Sequence, residues 1–541
     1  MRYLLWLLIF ISSVLPSPPQ LVPAAPEVKA PDPALILLRE RFPAAGEPLR
    51  LELDGRSYRV APELACFYER RSFLPAWSTE NGLLPVADQL LAALGGAADE
   101  GLHPEDYRLA ALQGLADAVR RTPLPAKRAE LDLAFSDAFF AFAADLANGR
   151  INPEAPKKRE AIDSACAPAA DTADSAALLE AALGGTGVKN ALSRVEPSER
   201  SYRLLREALL RYRAQVRRGD PTPISEGPKL RLGDRGERVI QLRQRLYAAA
   251  QTAGDELPLA SPSPESFDEP LAQAVRRFQA RNGFEEDGVV GAATLAELNR
   301  PAEDRVRQIE ANLERLRWLP SDLGARYVRV NIPAFRLDAV EGDRSVLTLR
   351  VIVGKPGDTS TPTFSSAMNA VQLNPSWYVP KKILDREILP KAGKDPTFLG
   401  RLGYEVVSQD RLRQRPGPSN ALGKFKFVFP SRYGVYLHDT PSRTLFNREL
   451  RALSHGCVRV ENPFELAVWA LRNDPQWTPE AIRERVDSGK ERQVKLPEAL
   501  PVHIGYWTAW AGDDGVLRFG RDVYKQDAEL IRRLQGEKKT G

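Results

Sequence analysis

Apolar positions recur every three or four residues from about 35 to 217, and beyond about 323 the period shortens to two. The first pattern predicts helices. PVADQLLAALGGAADEGL and ELDLAFSDAFFAFAADLANG both carry it and both close on glycine stops. Leu131, Phe135, Ala138 and Phe142 fall on one face of the second segment and read as core. The stretch 153–190, rich in Ala, Asp and Pro, reads as an irregular connection.

Between 229 and 299 lies a separate helical unit. Val239, Leu242 and Leu246 make one apolar face, and Leu271, Val275 and Phe278 make another. Gly283, Gly288 and Gly291 punctuate its turns, and an acidic Pro/Ser-containing insert occupies about 252–266. A three-helix module follows from this pattern. After a charged helix at 301–318, alternation takes over in RYVRVNIPAFRLDAVE, SVLTLRVIVG and GKFKFVFPSRYGVYLHD. A hairpin is predicted at HIGYWTAWAGDDGVLRF, with Asp513-Asp514-Gly515 at its turn. Helical pieces at 381–393 and 463–473 interrupt this β-rich part. The fold class is therefore multidomain α+β: a helical domain at 35–217, a three-helix module at 229–299, and a β-rich domain at 323–535.

The amino terminus changes the picture of where the chain works. Met1-Arg2 precedes a thirteen-residue apolar run, YLLWLLIFISSVL. A membrane span needs about 20 residues, so this run suits a signal-peptide core. Residues 1–25 read as a signal, removed near Ala24–Ala25 or retained as an inner-membrane anchor, with the remainder exported. The net charge of +5 is spread over 76 basic and 71 acidic side chains with no basic stripe, so nucleic acid is not an expected partner. Cys66 and Cys166 either pair in an oxidising compartment or stand as two unpaired small residues. VGKPGDTST at 353–361 lacks the leading glycine of a phosphate loop.

Candidate chemistry gathers in one place. The chain has four histidines, and two of them, His438 and His455, precede Cys457 within 19 residues. A thiol with a pKa of about 8.5 is mostly protonated at neutral pH and needs an imidazole to take its proton. His438 ends a predicted strand that would hold its ring. Ser454-His455-Gly456-Cys457 reads as a sharp turn entering a helix, with Gly456 leaving space beside the sulfur. Backbone N–H groups there, and a helix N-terminus, would favour a developing anion. A metal set of His438, His455 and Cys457 lacks a fourth protein ligand, so neither metal nor cofactor is expected. His103 and His503 read as ordinary strand- or loop-edge residues.

At these residues the chain resembles the L,D-transpeptidase family, whose signature is a His, a spacer, Ser/Thr-His-Gly-Cys and an Arg two places on. Here these are His438, Ser454–Cys457 and Arg459. The likeness extends to LNPSWYVP (373–380), ILPKAGKDPTFL (388–399) and YWTAWAGDDGVLRFGRDVY (506–524). Upstream, FYERRSFLPAW (67–77), DEGLHPEDY (99–107) and ANGRINP (147–153) resemble the helical scaffold of the family's long periplasmic members. The 229–299 string resembles the peptidoglycan-binding module of cell-wall enzymes. The resemblance implies attack by Cys457 on a tetrapeptide stem with loss of terminal D-alanine, His438 as base, and transfer to a second stem as a 3→3 cross-link. It further implies that Ser454, His455 and Gly456 orient the turn, the oxyanion or the substrate. Arg459 would hold a stem carboxylate or brace the turn. Tyr436 and Trp377 are candidate substrate-wall residues or core, and 381–420 resembles a mobile cap. Donor and acceptor stems are the implied partners, and a carbapenem should acylate the same thiol. Two alternatives stay open: an L,D-carboxypeptidase giving the thioester to water, and a non-catalytic wall-binding scaffold.

Overall fold

A computed structural model describes residues 32–42, 50–53, 56–59, 63–153, 174–256, 261–408 and 411–536. The leader assigned to residues 1–25 and Cys166 lie outside the described residues.

The amino-terminal domain packs around one long helix, Pro125–Asn148, buried on nearly every side. Leu131, Phe135, Ala138 and Phe142 lie in its core beside Trp77 and Phe67. The later part of the stretch read above as irregular (153–190) is helical: Ser175–Ala181, a π turn at Ala182–Thr186, and Val188–Leu192, which runs past its end. The Asp174 carboxylate caps the first of these by accepting from the N–H groups of Ala176 and Ala177. The Gly184-Gly185 pair, with φ +106° at Gly185, gives the stretch its loop-like composition without stopping the chain from packing Leu179 and Val188 inward. Cys66 is disulfide-bonded, the first of the two alternatives left open above.

Helices Glu237–Ala253, Glu269–Arg281 and Ala292–Leu298 form the small module, with Val239, Leu242, Leu246, Leu271, Val275 and Phe278 in its own core. The following helix, Ala302–Leu316, is the hub of the molecule. Its Val306, Ile309 and Leu313 share one apolar cluster with Tyr202, Leu205 and Leu209 of helix Arg200–Arg218 and with Trp507, Leu517 and Phe519 around the carboxy-terminal hairpin. The hub therefore clamps the scaffold to the β-rich domain.

That domain is built on nine strands: β1 (Arg326–Asn331), β2 (Arg336–Glu341), β3 (Arg344–Gly354), β4 (Phe364–Leu373), β5 (Phe425–Val428), β6 (Leu437–His438), β7 (Ala452–Ser454), β8 (Val458–Val460) and β9 (Arg492–Gly505). Their order is β7-β3-β8-β6-β5-β4-β9-β1-β2, and β2 also pairs with β3, so the sheet closes on itself. Leu437, Val458, Val460, Phe425 and Phe427 point into its core. Side chains alternate along a strand, so the residues between these face the other way. Over that outer face lies the cap. Strands Trp377–Tyr378, Tyr404–Ser408 and Arg411–Gln414 and short helical turns at 381–394 surround a core of Trp377, Val379, Leu384, Ile388, Leu412 and Leu422. Among the described residues no helix is long and apolar enough to cross a membrane.

Candidate active site

Register decides which side chains meet. β6 and β8 run parallel with Leu437 opposite Val458 and His438 opposite Arg459, and β5 places Lys426 opposite His438. Since Leu437 and Val458 face the core, Lys426, His438 and Arg459 form a row on the outer face. One step back along the same face stand Tyr436 and Cys457; the Val458 N–H donates to the Tyr436 carbonyl at 3.1 Å. His438 and Cys457 are thus diagonal neighbours, whose Cβ atoms lie about 7–8 Å apart or less in a sheet, within span of an imidazole.

The His438 ring is 5% exposed. Its Nδ1 lies 2.5 Å from the Asp439 carbonyl oxygen, which can only accept, so Nδ1 carries the proton and Nε2 is the acceptor nitrogen. Asp439 is itself fixed, its carboxylate accepting from the N–H groups of Lys424 at 2.8 Å and Thr440 at 2.7 Å. Burial, with the Arg459 charge behind it, pulls the imidazole down to about 3, so at neutral pH it is uncharged and able to accept a proton. Burial raises the Cys457 thiol above its ordinary value. Against that, the Tyr436 N–H and hydroxyl donate toward the sulfur, and Lys426 and Arg459 supply positive charge. Beyond these donors, the sulfur lies 3.9 Å from the Gly434 carbonyl, a weak contact. The resting pair is a thiol and a neutral imidazole.

Two expectations about the turn are corrected. Cys457 leads into strand β8 and not into a helix; the nearest following helix is Pro463–Leu471. The β-branched Val458 and Val460 favour that strand, so the turn itself offers the sulfur no helix N-terminus. Gly456 is required by its backbone and not by space beside the sulfur: φ is +115°, while a Cβ there would meet its nearest atom at 3.7 Å. Its N–H donates to Ser454 Oγ at 3.1 Å, and Ser454 Oγ–H donates to the Cys457 carbonyl at 2.6 Å. Both bonds tie the turn to itself. Thr361 adds a strap, donating from Oγ1 to the Gly456 carbonyl at 2.7 Å and accepting from the Gly354 N–H at 2.9 Å. Tyr524 joins the strap by donating to the Gly354 carbonyl at 2.8 Å.

The remaining candidates fall around this centre. Tyr436 is half-buried, stands edge-on to His438 with centroids 5.5 Å apart, and carries the Lys426 ammonium 4.3 Å above its ring. Trp377 is buried in the cap core with its indole N–H turned to the Tyr436 hydroxyl. His455 is exposed and its Nε2 lies 2.5 Å from Glu387 of the cap. Arg459 is half-buried, and its Nε has no hydrogen-bond partner among the described residues. His103 and His503 lie away from this centre, His503 bonding Ser365 at 2.9 Å. Among the described residues no group of three or more metal-ligating side chains gathers. Sequence reasoning missed Lys426, Thr361, Tyr524 and Glu387. Thr361 carried a signal as the end of the glycine-containing loop set aside above, and Tyr524 as the end of the 506–524 string.

This fold and centre define a class. Residues 325–486 match the model of the L,D-transpeptidase catalytic domain, residues 235–298 the model described as "Putative peptidoglycan binding domain", and residues 62–209 the model described as "Scaffold domain". The chain carries an L,D-transpeptidase catalytic domain behind a helical scaffold and a peptidoglycan-binding module.

Among individual proteins, a Haemophilus influenzae protein named "Putative L,D-transpeptidase" is 32% identical over 244 residues, 41% of this chain and 49% of that one. The chain thus aligns with about half the length of this curated relative. Solved L,D-transpeptidases from Stackebrandtia nassauensis and Xylanimonas cellulosilytica are 15% and 18% identical, each covering 52% of this chain and 96% and 98% of their own, with TM-scores of 0.22 and 0.19. The assignment rests on the family models and not on these two likenesses.

Proposed function

We propose that this protein is a periplasmic L,D-transpeptidase that joins peptidoglycan stems by 3→3 cross-links through a thioester on Cys457. The Cys457 proton passes to Nε2 of His438 as sulfur bonds the carbonyl carbon of the donor's third residue. The C–N bond to terminal D-alanine then breaks, and its amine leaves with that proton. The side-chain amine of an acceptor stem attacks the thioester, gives its proton through His438 to the departing sulfur, and restores the thiol.

The observation that carries this reading is the common face of Cys457 and His438 on parallel strands, with Nδ1 already committed to Asp439. A base held in one tautomer contributes about 10²–10⁴-fold to such a step. The Tyr436 donors at the sulfur supply charge stabilisation that the absent helix dipole does not. The cap favours transfer over hydrolysis, because a covered thioester is shielded from water.

The test is incubation of the full chain with disaccharide-tetrapeptides, read by mass spectrometry. A dimer lighter by one D-alanine supports transfer. Tripeptide alone would assign an L,D-carboxypeptidase, and unchanged substrate would leave only a wall-binding protein.

A further inference from the structure

We propose that Glu387 is a built-in stand-in for the donor's terminal carboxylate, a cap side chain filling an anion pocket beside Cys457 that the donor stem must displace. The inference rests on the thioester reading above. Glu387 belongs to the π turn Leu384–Ile388, between helical turns Lys381–Ile383 and Leu389–Lys394. Isolated π turns in helical segments are frequent at functional sites. Its neighbours Leu384 and Ile388 anchor the turn in the cap core, while Glu387 leaves that core and reaches His455, 68 residues away in sequence.

The pocket has two walls. His455 Nε2 contacts the Glu387 carboxylate at 2.5 Å, in a pair still 37% and 39% exposed and therefore open to exchange. Arg459 is the second wall; burial lowers its pKa, and the Glu387 carboxylate acts against that. Its Nε, buried without a partner among the described residues, leaves a donor for a further oxygen. Tyr404 borders the same carboxylate from the cap side.

Substrate chemistry fits this placement. In a tetrapeptide donor the terminal carboxylate lies one residue beyond the scissile carbonyl, so with that carbonyl at the sulfur an anion must settle next to residue 457. Arg459, on the same outer face as Cys457, waits there with spare hydrogen-bonding capacity. The cap carboxylate offers the same chemical group when no donor is bound, and its displacement frees the cap from the turn.

The experiment follows acylation of Cys457 in the full chain by intact mass, using two synthetic tetrapeptide donors that differ in a terminal carboxylate or carboxamide. Removing the internal competitor by Glu387→Gln should raise the carboxylate-over-carboxamide preference about threefold, the scale of one half-exposed ion pair. Arg459→Gln should collapse that preference toward one. An unchanged preference in E387Q, with both donors still acylating, overturns the stand-in and leaves Glu387 a brace of the cap. Failure of the carboxylate donor to acylate the unsubstituted protein would remove the thioester reading, and the stand-in with it.

Discussion

The centre of the scaffold and the outer face of the catalytic sheet both bury polar groups, but they treat them in opposite ways. Asp132, fully buried in helix Pro125–Asn148, accepts from the Ala76 N–H, from Tyr68 Oη at 3.1 Å and from Ser78 Oγ at 3.3 Å, while Ser136 accepts from the Trp77 indole at 2.8 Å. Nothing in that web is spare. At the sheet, Arg459 Nε has no partner among the described residues, the Cys457 thiol donates only weakly, to the Gly434 carbonyl at 3.9 Å, and His438 has spent only one of its two nitrogens. A saturated buried network specifies structure, whereas capacity left open on a rigid strand is available to a substrate. Burial depth alone would not separate the two regions; satisfaction does.

The comparison can be broken most severely at the sulfur. Cys457→Ala should lower transpeptidation by about 10⁴-fold or more, with unchanged thermal unfolding, because the thiol supports no packing network. His438→Gln should cost about 10²–10⁴-fold in kcat and little in KM for the donor, measured by product mass against time. Asp132→Ala should do the reverse, destabilising the fold by about 1–3 kcal/mol in denaturant titration while leaving the acylation rate per folded molecule intact.

Titration sharpens the contrast further. His438 is pulled down to about 3, so it stays neutral and competent down to acid pH, and kcat/KM should show no limb near 6.5. An acid limb at that pH would mean the base is solvated or is another group. Asp132 is pushed up to about 7 by burial. Its protonated form is the one the fold prefers, so its stabilisation is complete below about pH 4 and is lost as pH rises through 7. Asp132→Asn should flatten that part of the unfolding profile.

Much of this was legible in the sequence, and the reasons are specific. The change from a three-four period to a period of two separates the helical core around Phe135 from the strands around Val328 and Val351 without any tertiary knowledge. His438 and Cys457 stood out because two of only four histidines precede the thiol within 19 residues, one of them ending a predicted strand. Their common face did not, since β6 and β8 are two and three residues long and pair in parallel across the turn and strand β7 that lie between them in sequence. Val458 and Val460, both β-branched, are the residues that favour a strand where a helix was expected after Cys457. The link from Glu387 to His455 and the strap from Thr361 to Gly456 span 68 and 95 residues, distances over which no local pattern can report.

The most direct test is to expose the full chain to a tetrapeptide donor without acceptor, quench quickly, and map the modified peptide by mass. A tripeptide-bearing acyl group on Cys457, released by hydroxylamine and absent from C457A, is the predicted result. An adduct on any other residue, or none at all on protein that remains folded, would contradict the account.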